Sequence, residues 1–281
     1  MLTTQKWIPM IDREEPQAPM ASGGPIVEGV REPPIARADA IALFLDIDGT
    51  LVDFAPSPDQ AYADPELRRL LETLAGRLDG ALVLISGREL DSIDALLGLP
   101  GLAAAGLHGA QIRRADGHLA ELDGISTPMP ALRMQANAFA AAIPGVLIEH
   151  KRNAIALHYR AAPHAAAAVH AMARTLLGEA GPAYELLPGN AVVELKPAGA
   201  TKGTALALLM REAPFAARVP WVFGDDFTDE HAFDSANALG GVSVIVGPRR
   251  PTAAHYALAD PAAMHRWLDA FARDAECMEP R

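Results

Sequence analysis

Two aspartates separated by a single residue follow directly on an apolar run in the stretch IALFLDIDGTLV, at positions 41–52. The five apolar residues before Asp46 predict a strand buried on both faces, so Asp46 and Asp48 stand at its carboxyl end. A buried carboxylate without a partner is costly, so these two need a cation, hydrogen bonds or a chemical role. A strand-end turn with helix-capping aspartates is the structural alternative. The other polar residues of the chain must decide between these possibilities.

Further polar groups stand at the ends of the other apolar runs. The tripeptide SGR occupies 86–88, Lys202 stands at a helix start, and GDDFTDE follows the apolar run before 224. Because ligands bind beyond the carboxyl ends of strands in open α/β sheets, we expect these groups to lie together. Clustered carboxylates favour a divalent cation such as Mg²⁺, while a lysine, a hydroxyl and helix-start amides suit a phosphoryl group.

The elements that must position these residues follow two patterns. From residue 40 onward, short apolar runs alternate with amphipathic segments, which predicts an α/β fold with a Rossmann-like, mostly parallel sheet. Between 114 and 196 the pattern changes to hairpin-like strands and two alanine-rich helices, typical of an α+β unit. We therefore predict a core of 39–113 and 197–281, an inserted α+β domain at 114–196, and a loosely ordered tail rich in proline and glycine at 1–38.

Composition excludes several classes of partner and location. The formal net charge of −11 argues against nucleic acid, because the 24 Lys and Arg residues form no long cluster. No apolar run approaches the roughly 20 residues that cross a bilayer, and the start lacks a signal-peptide pattern. The single cysteine, Cys277, cannot form an internal disulfide, so a cytoplasmic protein without membrane contact is expected. A monomer is favoured, with the oligomeric state left open by the sequence.

The order of these segments resembles a known superfamily. DIDGT, SGR, Lys202 and GDDFTDE, in this order, are similar to the four motifs of the haloacid dehalogenase (HAD) superfamily of phosphohydrolases, and the insertion resembles its type 2 cap. More narrowly, GLHGA, EHK, ALHYR, VVELKPAGATKG and GDDFTDE resemble the trehalose-6-phosphate phosphatase family. The resemblance covers about 40–281 and implies a HAD fold with a cap and Mg²⁺-dependent hydrolysis of a small sugar phosphate, trehalose 6-phosphate first.

Two other functions stay open beside this one. A related capped phosphatase could act on sucrose 6-phosphate or a hexose phosphate. A non-catalytic phosphosugar sensor would keep the fold without turnover, but it is disfavoured because none of the nucleophile, acid/base, lysine or metal positions is damaged.

The resemblance implies a role for each core residue. Asp46 would be the nucleophile that forms an aspartyl phosphate, and Asp48 would be the general acid and base. Ser86, Gly87 and Lys202 would hold the phosphate.

The resemblance implies that Asp46, the main-chain carbonyl of Asp48, and Asp225 bind the metal, and that Asp229 orients Lys202 or a metal-bound water. Which of Asp225, Asp226 and Asp229 contacts the ion directly is left open, because all three lie in one acidic segment.

The insertion is expected to recognise the sugar. Glu149 and Lys151 lie two apart on a predicted strand and therefore share a face, and Glu194 comes from another strand. The resemblance implies that these three grip the sugar, with Arg88 and His108 as further substrate contacts. A solvated face with weak ion pairs is the alternative for the three, and a structural role is the alternative for His108.

Six polar residues have a structural or solvated interpretation as the more ordinary one. Asp226 and Glu230 are interpreted as helpful acids of a helix's first turn. The remaining four are interpreted as solvated: His158, Arg160, Arg249 and Arg250.

Overall fold

The computed structural model describes residues 31–55, 60–121, 129–189 and 191–276. Twelve strands in these ranges form two sheets, and seven α-helices pack against them. The strands are β1 (Ile41–Leu45), β2 (Leu82–Ile85), β3 (Ala103–Gly106), β4 (Gln111–Arg113), β5 (Leu119–Glu121), β6 (Leu147–Lys151), β7 (Ala154–His158), β8 (Tyr184–Gly189), β9 (Val192–Pro197), β10 (Val219–Gly224), β11 (Val242–Val246) and β12 (Tyr256–Leu258). The helices are α1 (Pro65–Arg77), α2 (Leu90–Leu97), α3 (Met129–Ala141), α4 (Ala166–Ala180), α5 (Lys202–Leu209), α6 (Phe227–Ala238) and α7 (Pro261–Glu276).

The large sheet has eight strands in the order β12-β11-β10-β1-β2-β3-β4-β5. The pairs from β12 to β3 are parallel, and β4 and β5 add an antiparallel edge. All five residues of β1 and all four of β2 are buried, as expected for strands covered by helices on both faces. The predicted α/β fold with a mostly parallel, Rossmann-like sheet is confirmed.

The helices that cover this sheet begin and end at local sequence signals. At the start of α1, the Asp64 side chain accepts a backbone N–H of the first turn at 2.8 Å, and Pro65 takes the first helical position. Leu67, Leu71 and Leu74 recur on one face of α1 and are buried against the sheet. None of the helices in the described ranges combines the length and apolar character needed to cross a membrane.

The small sheet is antiparallel, in the order β6-β7-β9-β8, and has a hydrophobic core of its own. One face packs on α3 and α4 through side chains that include Leu132, Leu157, Val169 and Leu195. The opposite face carries the polar side chains and looks toward the carboxyl ends of β1, β2 and β10. Polar groups on two facing surfaces can therefore act on one ligand.

The structure differs from the predicted boundaries at two places. Strand β5 lies inside the predicted 114–196 insertion, yet it pairs with β4 of the large sheet, so the change of unit falls after residue 121. Residues 31–38, predicted as tail, contact the large-sheet unit: the Ala257 N–H donates to the Arg31 carbonyl at 3.2 Å, and Trp267 Nε1 donates to the Pro33 carbonyl at 3.1 Å. Residues 1–30 of that tail lie outside the described residues.

Candidate active site

Three carboxylates meet at the carboxyl ends of β1 and β10. Asp46 follows β1, Asp225 follows β10, and Asp229 lies in the first turn of α6, with one oxygen of each within 4.8 Å of the others. Lys202, the first residue of α5, is buried among them and donates from Nζ to Asp46 Oδ1 at 2.6 Å and to Asp229 Oδ1 at 2.7 Å. The expected convergence of strand-end acids and a lysine is present.

A tight turn after β1 makes room for the Asp225 carboxylate. Gly49 adopts a φ of +86°, and a Cβ at this position would stand 2.4 Å from Asp225 Oδ2. A side chain larger than hydrogen would therefore be strained and would also displace the acid. Thr50, next in the turn, donates to Asp225 Oδ1 over a long 3.5 Å.

Asp229 holds the geometry of the cluster through both of its oxygens. Oδ1 accepts from Lys202, and Oδ2 accepts the backbone N–H of Asp225 at 3.1 Å and that of Asp226 at 3.0 Å. Its side chain is fully buried. Asp229 is therefore suited to fixing Lys202 and the segment that carries Asp225, whereas Asp226 contributes a backbone group at the start of α6.

Burial and mutual repulsion dominate the electrostatics of this cluster. Burial raises the pKa of Asp46 to about 7, against the lowering effect of Lys202. Burial and the negative charges of Asp46 and Asp229 raise the pKa of Asp225 to about 10. Burial alone would lower the pKa of Lys202, but Asp229 and Asp46 raise it, so the lysine stays cationic. One lysine does not neutralise three acids, and the group is suited to a further cation.

The loop after β2 carries the predicted phosphate-binding residues. The Ser86 hydroxyl oxygen is buried and accepts the Arg88 N–H at 3.1 Å. Arg88 makes a two-pronged ion pair with Asp48, at 2.7 Å from Nε and 2.6 Å from Nη2. The Asp48 carboxylate thus turns toward Arg88 and stands apart from the three-acid group found among the described residues.

The polar face of the small sheet brings together the three predicted sugar-binding residues. Glu149 and Glu194 flank Ala156 in one cross-strand row. Lys151 Nζ donates to Glu194 Oε2 at 2.7 Å and to the Gly87 carbonyl at 2.9 Å, so this strand contacts the loop after β2. Lys151 and Glu194 are only 8% and 6% exposed, which excludes the solvated-face alternative for them.

The other carboxylate of this face has a separate partner. The Glu149 carboxylate lies 2.9 Å from His158 Nε2, and its side chain is about one-third exposed. Burial alone would raise the pKa of Glu149, but the hydrogen bond from His158 and the charge of Lys151 lower it. Glu149 is therefore an ionised acceptor that faces the cavity.

The buried Lys151–Glu194 pair stays ionised. Burial alone would raise the pKa of Glu194, but Lys151 and His108 bring it down to about 2. Burial alone would lower the pKa of Lys151, and Glu194 and Glu149 raise it instead. The pair therefore keeps one acceptor and one donor charged while both side chains are buried.

His108 lies between the loop after β2 and the small sheet. Its Nε2 is 3.7 Å from Glu194 Oε2, and a Cβ on Gly87 would stand 2.6 Å from its ring, so the loop needs glycine there. Burial lowers the pKa of His108, which favours the neutral ring. Nδ1 has no hydrogen-bond partner within the described part of the chain. His108 thus borders the cavity, and its role as a substrate contact stays a prediction.

The two polar surfaces enclose one cavity of about 710 Å³. Its lining includes Asp46, Ser86, Lys202 and Asp225 on one side, and Glu149, Lys151, Glu194 and His108 on the other. His158 and Arg160 also line it, although the sequence interpretation left them to solvent, and so do Phe54 and Leu187. His158 could have been found from its strand: it stands two residues after Ala156, on the face that carries Glu149.

Arg249 is not a solvated residue. Its Nε donates to the Asp225 carbonyl at 3.0 Å, and its Nη2 forms an ion pair with Glu230, which also accepts the Ala253 N–H at 2.7 Å. Arg250 makes hydrogen bonds to backbone carbonyls only, at Gly247 and Arg249, among its described contacts. The interpretation of Arg249 as solvated is therefore wrong, and Glu230 does more than support a helix dipole.

A family model and two sequence relatives of this chain carry the same family description. The family model described as trehalose-phosphatase matches residues 44–262. A probable trehalose-phosphate phosphatase of Sinorhizobium fredii is 42% identical over 213 residues, covering 76% of this chain and 80% of that protein. The trehalose-6-phosphate phosphatase of Escherichia coli is 40% identical over 231 residues, covering 81% and 85%.

A solved structure extends the comparison to the fold. The C-terminal domain of the C. albicans trehalose-6-phosphate phosphatase superposes with a TM-score of 0.73 at 23% identity, over 84% of this chain and 93% of that one. At this identity the likeness concerns the fold, and the sequence matches carry the family assignment. The chain therefore belongs to the trehalose-phosphatase family.

Proposed function

We propose that this protein is an Mg²⁺-dependent phosphohydrolase that converts trehalose 6-phosphate to trehalose and phosphate through an aspartyl-phosphate intermediate. The observation that carries the proposal is a cavity with an acid–lysine cluster at one side and the Glu149, Lys151 and Glu194 face at the other. Such a cavity suits a ligand with a phosphate at one end and hydroxyls at the other. The names of the two sequence relatives support trehalose 6-phosphate as the substrate.

The residues present fit a magnesium ion. Asp46 and Asp225 offer hard oxygen ligands. Burial first, and then the charges of neighbouring acids, raise the pKa of both groups, and a divalent cation would favour their ionised forms. Asp46, Asp225 and the main-chain carbonyl of Asp48 would hold the ion, and Asp229 would support it from behind. When bound, Mg²⁺ supplies positive charge that lets an anionic carboxylate approach a phosphate.

Asp46 is the proposed nucleophile. A carboxylate oxygen of Asp46 forms a bond to phosphorus while the bond from phosphorus to the sugar oxygen breaks, which leaves an aspartyl phosphate. Lys202, held by Asp46 and Asp229, balances the charge of the phosphoryl oxygens, and Ser86 with the Gly87 backbone donates to them.

Asp48 is the proposed acid and base. It gives a proton to the leaving sugar oxygen and then takes one from the water that attacks phosphorus, whose bond to Asp46 breaks as phosphate forms. The two-pronged contact with Arg88 fixes the orientation of this carboxylate. Arg88 therefore acts by positioning Asp48 at the edge of the cavity.

The small-sheet unit is the proposed cap that selects the sugar. Glu149, Glu194 and Lys151 offer two charged acceptors and one charged donor, the groups that bind sugar hydroxyls well. Because Lys151 also bonds to the Gly87 carbonyl, the cap contacts the loop that would hold the phosphate. Sugar binding and phosphate binding would thus share one network.

Phosphate release from a panel of substrates tests this proposal. With Mg²⁺ present, we expect kcat/KM for trehalose 6-phosphate to exceed that for sucrose 6-phosphate and glucose 6-phosphate by at least about tenfold, which corresponds to one or two lost hydrogen bonds to charged groups. EDTA should remove the activity, and added Mg²⁺ should restore it. A better rate on another sugar phosphate would reassign the substrate, activity that is indifferent to chelation would refute the metal site, and binding without turnover would favour the sensor.

A further inference from the structure

The backbone of Asp225 is held on both sides of its Cα atom. Its N–H donates to Asp229 Oδ2 at 3.1 Å, and its carbonyl accepts from Arg249 Nε at 3.0 Å. The Asp225 carboxylate itself has a long hydrogen bond, 3.5 Å, from Thr50. The direction of this carboxylate thus depends on how firmly its backbone is fixed.

Arg249 reaches Asp225 from a distant part of the chain, the loop after β11, and is itself fixed from several directions. Its guanidinium pairs with Glu230, donates from Nη1 to the Pro251 carbonyl at 3.1 Å, and lies 4.6 Å from the ring centre of Phe227. Its side chain is only 16% exposed. Phe227 and Glu230 belong to the first turns of α6, so the guanidinium joins the β11–β12 loop to the segment that carries the acids.

We propose that Arg249 is a positioning residue for the metal site: it holds the Asp225 backbone so that the carboxylate points at the cation shared with Asp46. This inference rests on the proposed function. Arg249 lies outside the segments that resemble the superfamily motifs, and its own contacts, together with the second support from Asp229, carry the argument. A planar guanidinium can bond to Asp225 and Glu230 at the same time, which the single ammonium of lysine does less well.

The test compares Arg249→Met with the control Arg250→Met. The control removes the hydrogen bonds from Arg250 to the Gly247 and Arg249 carbonyls but none of the side-chain contacts that Arg249 makes to Asp225 and Glu230. Binding of Mg²⁺ to the full-length protein is measured by the metal-dependent shift in Tm and by calorimetry, and the Mg²⁺ dependence of phosphate release is measured beside it. We expect Arg249→Met to bind Mg²⁺ about tenfold more weakly, as for other partners behind a metal ligand. Saturating Mg²⁺ should restore most of kcat, and Arg250→Met should bind as the wild type does.

Arg249→Lys keeps the positive charge but changes the geometry of the donors. It also takes the place of Arg249→Met in the test if the methionine variant folds poorly. We expect its Mg²⁺ affinity to lie between those of the wild type and Arg249→Met, and wild-type affinity with lysine would overturn the role of the guanidinium. Unchanged Mg²⁺ affinity in Arg249→Met, even with a lower metal-free Tm, would mean that Arg249 has a merely structural role. That result would overturn the proposal for Arg249 and leave the proposed function untouched. A wild-type protein that does not respond to Mg²⁺ would overturn the metal assignment and this proposal together.

Discussion

At the scale of single residues, three carboxylates of one cluster have different surroundings and therefore suit different tasks. Asp229 is fully buried with both oxygens bonded to protein groups, which suits a supporting part. Asp46 shares Lys202 with it but lines the cavity, and Asp225 is less buried and has a weak hydrogen bond. Residue type alone does not make this distinction, because it arises from which donors surround each acid.

Replacement of the proposed nucleophile, Asp46, gives the sharpest prediction at this scale. Asp46→Asn should lower kcat by about 10⁴-fold or more, since an amide oxygen cannot form the aspartyl phosphate. Folding should be kept, because the amide is nearly isosteric and removes a repelling charge from the acid cluster. Phosphate release and thermal unfolding measure the two effects.

The exposed Asp53 supplies the matched control for this substitution. Asp53→Asn removes an acid from the same segment, outside the acid cluster, and should leave kcat unchanged. Appreciable phosphate release by Asp46→Asn, after contamination is excluded, would sink the nucleophile assignment.

At the scale of elements, strands β6 and β9 carry a buried ion pair onto a loop of the large sheet. Lys151 comes from β6 and Glu194 from β9, and the lysine also bonds to the Gly87 carbonyl of the loop after β2. A buried pair contributes little net free energy when intact, but its disruption leaves one charge without a partner. The pair therefore makes the contact between the two sheets sensitive to protonation.

Removal of Glu194 should change stability in a pH-dependent way. Its pKa is lowered from 4.5 to about 2 in the folded state, which corresponds to roughly 3 kcal/mol of stability at neutral pH. This contribution is complete above about pH 4.5 and is lost as pH falls toward 2, because the folded and unfolded states then bind the same number of protons. The difference in free energy of unfolding between wild type and Glu194→Gln should therefore be large at pH 7 and shrink below pH 4.5, as measured by urea unfolding.

A neighbouring ion pair of the same sheet provides the control. Glu185 pairs with Lys196 on β8 and β9, but its side chain is 42% exposed, and Lys196 also donates to the carbonyls of Pro197 and Ala200. Glu185→Gln should therefore lower the free energy of unfolding less than Glu194→Gln does. Equal losses for the two variants, or a Glu194→Gln difference that stays constant with pH, would contradict the prediction.

At the scale of the whole molecule, the two sheets have separate hydrophobic cores, and the segment 31–38 belongs with the larger one. Trp267 stacks on Trp221 at 5.7 Å and on Phe271 at 5.3 Å, and its ring N–H is satisfied by the Pro33 carbonyl. The segment contacts β12 and α7, whereas the cavity lies between the carboxyl ends of the central strands and the small sheet.

Two truncations separate stability from activity. We expect removal of 1–38 to cost about 1–3 kcal/mol more in free energy of unfolding than removal of 1–30, because a nearly buried Trp267 N–H loses its partner. Phosphate release per folded molecule should stay close to that of the full chain in both. Unfolding curves and kcat measure these effects, and a large fall in kcat on removal of 1–38 would show that the segment supports the site.

The sequence by itself determined the parts of this protein that depend on local pattern. Continuous apolar runs such as IALFL and LVLI predict buried strands, whereas the spaced leucines of α1 predict an amphipathic helix. The alternation of such strands with helices along the chain predicts a parallel sheet. Because parallel strands end at one edge, Asp46, Ser86 and Asp225 could be grouped from their places in the chain. The family resemblance rests on those same positions.

Only the tertiary structure decided the contacts between parts that are distant along the chain. The short strands β5 and β12 and the segment at 31–38 are defined by their pairing partners, which a local pattern does not contain. The pairing of Lys151 with Glu194 over the Gly87 carbonyl and the reach of Arg249 to Asp225 depend on the same long-range packing. The reason is physical: periodicity reports which face of an element is buried, whereas burial of a charged side chain depends on which opposite charge the folded chain brings within hydrogen-bond distance.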